Sequence, residues 1–275
     1  MDKRPINRIE LVLFGPTNLS KTDNINNLLQ ALETDGIFAP ESASNSERKI
    51  KEYDREWCIE TSTTPERKYE NYIYLKRNKI AKYSGYYSYS ARPFVTITFN
   101  PKLSKKHYFP LLKWSQSVVQ AFKPDYASLS FRHQYEEDPW HSDLDEWLNR
   151  FCYSCRTYDR LYYRDGPPGI GMFTWLSDYV TSYFDNEYFS QTPNAMIEKQ
   201  NWGGSFITLN LDQMPWDTDP QILIDTWRPA MSHLAKPGHF LEQYLENGNL
   251  RMRKGISQIP PREVQNYAVI KPTDE

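Results

Sequence analysis

A chain of 275 residues can bury one large core or two smaller ones, and its formal net charge of -2 supplies no basic field to draw it onto nucleic acid or an anionic membrane. With 39% hydrophobic and 25% charged residues the sequence is of the folding kind, and its 20 Tyr and 8 Trp are the amphipathic rings that interfaces favour. After Met1-Asp-Lys-Arg-Pro5 the apolar run Ile9 to Phe14 is too brief for a signal core or a membrane span. The 3 cysteines, an odd and low count, suit a reducing compartment, so the expected location is the cytoplasm.

Taken in chain order, three segments repeat one plan: an alternating strand, a short Pro-containing loop, and an amphipathic helix. The first has Ile9, Leu11 and Leu13 on one strand face, then a helix from about 20 to 34 with Ser20 as N-cap and Ile25, Leu28, Leu29 and Leu32 at helical spacing before Gly36. A polar stretch from Glu41 to Lys51 reads as loop. The second segment runs from Phe94 to Phe99 into a helix carrying Leu111, Leu112, Ser115, Val118, Val119 and Phe122, with Pro110 in its first turn. An alternating run, Ala127, Leu129 and Phe131, follows Pro124, giving strand, helix, strand.

Two further helices are expected next. One, capped by Ser142, turns Leu144, Trp147, Leu148 and Phe151 inward; the other, after Gly166-Pro-Pro-Gly169, uses Met172, Leu176, Tyr179, Val180 and Tyr183. The third segment is a strand from Ser205 to Leu211, then a helix with Asp219 as cap and Pro220 at its first position, which Pro229 should kink or break. The tail beyond Gly255 reads as irregular. The expected architecture is a single α+β domain over 1–275: a mixed central sheet flanked by amphipathic helices. Phe14-Gly-Pro-Thr-Asn-Leu-Ser-Lys against Phe99-Asn-Pro-Lys-Leu-Ser-Lys is either a weak internal duplication, about 8–35 against 94–122, or coincidence.

Gly15-Pro-Thr-Asn-Leu-Ser20-Lys21-Thr22 lies between strand and helix, as a phosphate loop would. Ser20 stands where such a loop needs glycine, and Pro16 removes an N–H donor. An ordinary helix start is therefore preferred, and a degenerate nucleotide-binding enzyme using Lys21 and Thr22 is the alternative. Cys152-Tyr-Ser-Cys155 is one pair where a structural zinc wants a second, and His133 and His141 are too far apart to supply it. No Gly-x-Ser-x-Gly elbow is present, and the histidines form no motif. No cofactor, metal or small-molecule ligand is expected, nor an enzyme.

Two segments suit recognition better. In Tyr83-Ser-Gly-Tyr-Tyr-Ser-Tyr-Ser90 the rings of Tyr86, Tyr87 and Tyr89 among small residues resemble a paratope, though a strand with Tyr87 and Tyr89 packed on one face fits equally. Around Trp140, the residues Tyr135, Glu136, Glu137, Asp138, Asp143 and Asp145 form an acidic run that could cover a basic surface on a partner; Asp143 and Asp145 also suit the first turn of a helix.

Leu11 to Leu32 with its Phe-Gly-Pro turn, Glu47-Arg-Lys-Ile-Lys-Glu-Tyr-Asp-Arg-Glu-Trp57, Phe122-Lys-Pro-Asp-Tyr126, Gly171-Met-Phe-Thr-Trp-Leu-Ser177 and the third strand and helix together resemble bacterial immunity proteins of polymorphic-toxin and type VI secretion systems (T6SS), most nearly the immunity protein 52 kind. The long Asn100 to His107 connection and the Tyr-rich stretch depart from that pattern. The resemblance implies a cytosolic antidote that binds a cognate toxin protein and covers its active site without cofactor or catalytic residue. A nuclease is the first candidate for the toxin.

Overall fold

The computed structural model describes residues 5–46, 50–64, 71–89, 93–134, 143–154, 167, 169–240, 242–246 and 249–253. Ten strands make one sheet: β1 (Ile6–Phe14), β2 (Ser42–Ser44), β3 (Lys51–Glu52), β4 (Tyr72–Arg77), β5 (Tyr83–Ser88), β6 (Phe94–Phe99), β7 (Tyr126–His133), β8 (Phe173–Ser177), β9 (Ala195–Gln200) and β10 (Gly204–Leu209). The helices among the described residues are α1 (Thr22–Glu33), α2 (Arg55–Thr63), α3 (Tyr108–Phe122), α4 (Asp143–Ser154), α5 (Asp178–Thr181), α6 (Asn186–Ser190) and α7 (Pro220–Ala235). A separate hairpin pairs β11 (Glu242–Glu246) with β12 (Asn249–Arg253).

The sheet order is β3-β2-β4-β5-β6-β1-β7-β8-β10-β9, and every pairing among the described residues is antiparallel, not mixed. The strand-helix-strand run expected from the sequence is present as β6-α3-β7. It is a crossover, but β1 sits between β6 and β7 and pairs antiparallel with both.

One face of the sheet carries Ile9, Leu11 and Leu13 of β1 with Val95, Ile97 and Phe99 of β6, all buried. Each such side chain contributes about 1.5–3 kcal/mol of burial. Helices α1 and α3 pack on one another over this face: Trp114 packs its ring edge-on to Phe99 at 5.9 Å and donates its indole N–H to the Leu32 carbonyl at 3.1 Å. Helix α2 adds Ser62, whose hydroxyl lies 3.1 Å from the Tyr87 phenol of β5. Helix α4 packs against β7 and α7.

The two halves of the sheet differ in what covers them. Every residue of β7 and of β8 is buried, so both faces are covered there. In β4 and β6 burial alternates residue by residue, and part of the second face stays accessible.

Several local expectations are corrected. Phe173–Ser177 is a strand, with a helix only at Asp178–Thr181, where one longer helix was expected. The stretch taken as loop holds β2 and β3. Lys21, not Ser20, is the N-cap of α1, because the Ser20 hydroxyl donates to the Tyr89 carbonyl at 3.0 Å. Helix α7 runs through Pro229, which is exposed; its start is as read, Asp219 accepting the Gln221 N–H at 2.8 Å ahead of Pro220. The Ser142 cap and the tail beyond Gly255 lie outside the described residues.

Candidate binding face

Antiparallel register fixes which side chains share the second face of the sheet, covered at β7 and partly accessible over β4 and β6, since directly opposed residues point the same way. One row crosses the sheet through Ser130, Glu10, Thr98, Ser84, Lys76, Ser42 and Glu52. The next runs through Ser128, Val12, Thr96, Tyr86, Tyr74 and Ser44, and a third through Tyr126, Phe14, Phe94, Ser88 and Tyr72. The face therefore grades from a charged and hydroxyl row to an aromatic one.

Over β2, β4, β5 and β6 these rows form a groove of about 330 Å³. Its floor is the hydroxyls of the first row and the rings of the second; Ile50, 54% exposed, stands at its rim. The rings brace one another: Tyr86 lies 5.6 Å from Tyr74, 5.8 Å from Tyr72 and 5.6 Å from Phe94, and Phe94 stacks on Phe14 at 5.5 Å. Such contacts hold Tyr74 and Tyr86 half-buried in fixed poses, so little side-chain entropy is left to lose when something covers them.

Beside the groove, at β1, Glu10 accepts hydrogen bonds from Arg132 and Arg8 and lies 3.4 Å from the Thr98 hydroxyl, which is itself part of the lining. Glu10 and Arg132 are buried, whereas the Arg8 side chain is 41% exposed. The arrangement offers donors, acceptors and ring faces for holding a segment of another molecule. Among the described residues no group of three His, Cys, Asp or Glu is placed to hold a metal ion.

Of the residues singled out from sequence, those the structure describes do not all reach the groove. Tyr86 lies in the groove, but Tyr87 and Tyr89 are buried, so the alternating-strand reading of that segment holds and these two rings are not available to a partner. Asp143 is exposed at the start of α4, while Asp145, two residues on, is 1% exposed and faces inward. Tyr135, Glu136, Glu137, Asp138 and Trp140 lie outside the described residues, as do Cys155 and the side chain of Cys152. The residues missed were Tyr74, Ser84, Thr96 and Thr98. The alternation of Ile73 and Leu75 with Tyr74 and Lys76 was the available signal.

The Gly15 to Thr22 segment spends its polar groups internally. The amides of Ser20 and Lys21 donate to the Asn18 side chain and carbonyl at 2.9 and 3.3 Å, and the Thr17 hydroxyl donates to the Phe122 carbonyl. Gly15 has a packing reason, since a Cβ there would stand 2.8 Å from Pro124 Cα.

The molecule is thus an α+β protein built on a large antiparallel sheet whose β2-β4-β5-β6 part offers an open, hydroxyl-rich and aromatic face. The solved structure of Pseudomonas aeruginosa T6SS protein PA0821 is similar in fold, with a TM-score of 0.50 at 10% identity over 93% of this chain and 81% of that one. No family model matches the chain. No curated protein matches it. No helix among the described residues is long and apolar enough to cross a membrane.

Proposed function

We propose that the chain is an immunity protein that binds a cognate secreted toxin in the cytoplasm and blocks it by covering its active site, using the open sheet face and no chemistry of its own. The observation that carries this reading is the groove over β2, β4, β5 and β6. Half-buried tyrosines in fixed poses, ringed by serine and threonine hydroxyls on a rigid sheet, are the composition and preorganisation that tight protein recognition uses. The fold-level likeness to a T6SS protein supports placing the toxin within such a system.

The test is protection. A toxin domain encoded beside the chain's own gene is expressed in cells with and without this chain, and the purified pair is examined by calorimetry. The expected outcome is restored growth and a stoichiometric complex. Continued killing together with no measurable complex would rule the reading out.

A further inference from the structure

The open face carries positive charge on two sides of a hydroxyl floor. Lys76 is exposed on β4, and along the same row, past Ser84 and Thr98, stands Glu10 on β1. Arg132 and Arg8 both bind Glu10, so the cluster keeps one net positive charge, and Arg8 is its exposed member. Three strand spacings separate Lys76 from this cluster, roughly 14 Å at about 4.8 Å each. Among the described residues no carboxylate lines the groove between them. Glu52, at the end of the row on the edge strand β3, lies beyond Lys76 and outside the groove.

We infer that the groove takes an extended acidic segment of a protein partner, with one carboxylate on Lys76, a second on Arg8, and the apolar side chain midway along it turned toward the aromatic row, against Tyr86. An extended chain advances about 3.4 Å per residue, so carboxylates about four residues apart span the two cations. The biological partner rests on the immunity reading, but the chemistry of the groove can be tested apart from it.

The probe is a fluorescein-labelled peptide, Gly-Asp-Thr-Val-Thr-Asp-Gly, beside its counterpart with lysine in place of aspartate, each titrated with the full chain and read by anisotropy. The acidic peptide is expected to bind about tenfold or more tightly than the basic one, and less tightly as salt rises. Lys76→Glu and Ser84→Asp, both at exposed positions, should each weaken it by about tenfold, while Lys113→Glu, on α3 over the other face, should leave it unchanged. Equal binding of the two peptides, preference for the basic one, or indifference to both groove substitutions would overturn the inference. Protection from toxin is scored separately. A chain that holds the acidic peptide through Lys76 yet protects no cell supports the groove and sinks the immunity reading. Full protection by a Lys76→Glu, Ser84→Asp chain keeps immunity and removes the groove from it.

Discussion

Glu10 and Arg132 stand on neighbouring strands, β1 and β7, and the guanidinium donates to the carboxylate with both side chains buried. A buried pair of this kind adds little net stability over a well-packed apolar pair, because desolvating two charges cancels most of their attraction; breaking it is another matter. Arg132→Met leaves Glu10 to Arg8 and the Thr98 hydroxyl and is expected to cost about 3–5 kcal/mol, while Glu10→Leu added to it should recover most of the loss. Urea midpoints of the single and double variants check this. A double variant no more stable than Arg132→Met would mean that the loss does not come from leaving the Glu10 carboxylate buried without its partner.

Gly85 lies in the middle of β5, opposite Leu75 and Ile97, and a Cβ there would stand 2.5 Å from the Thr96 carbonyl oxygen and 2.9 Å from Ile97 Cα. These are backbone atoms of a central pairing and have no room to retreat. Gly85→Ala should therefore destabilise the chain by about 1–3 kcal/mol, the range for overpacking, and weaken binding at the groove whose floor these strands form. Wild-type stability in urea would show that the strands can part at no cost.

Helices and half-covered strands were legible because burial there follows a period. Ile25, Leu28, Leu29 and Leu32 of α1, and Leu223, Trp227, Ala230, Met231 and Leu234 of α7, are all buried as their spacing predicts. Strand β8 was not legible, since a strand covered on both faces has no alternation, and Met172, Leu176 and Val180 happened to fall at helical spacing. Topology was hidden for a related reason: nothing in β6-α3-β7 says that β1 will insert between its strands. The groove could be half read. Tyr86 came from composition, but Ser42, Thr96 and Thr98 acquire meaning only when register sets them in rows, and register is a tertiary property.

Cys58 is buried in α2 against β5, and desolvation pushes its thiol up to about 12, with the carboxylates of Asp54 and Glu33 acting in the same direction. The thiolate is the reacting species, so the native chain should leave Cys58 unmodified by iodoacetamide at pH 8 while urea-unfolded chain reacts fully. Peptide mapping by mass spectrometry reads this residue apart from Cys152 and Cys155. Rapid native labelling of Cys58 would place it in a wetter site than the packing of α2 on β5 allows.

His239 gives the stability of the fold a pH dependence whose sign can be worked out. Its ring is buried against Phe184, with centroids 5.0 Å apart, and burial holds its pKa below the ordinary 6.5, a hydrogen bond with the Tyr183 backbone opposing the shift only in part. The folded chain therefore resists a proton that the unfolded chain accepts once the pH drops below about 6.5. In that window the unfolded state binds more protons, so stability falls with pH and levels off below the folded pKa. His239→Phe keeps an aromatic ring on Phe184 and has nothing to titrate. Subtracting its urea stability from that of wild type, between pH 7.5 and pH 5, should give a difference that is constant above the window and moves against wild type as the pH drops through it. A flat difference would mean that His239 takes up its proton as readily in the folded chain as in the unfolded one, and that burial against Phe184 does not disfavour the charged ring.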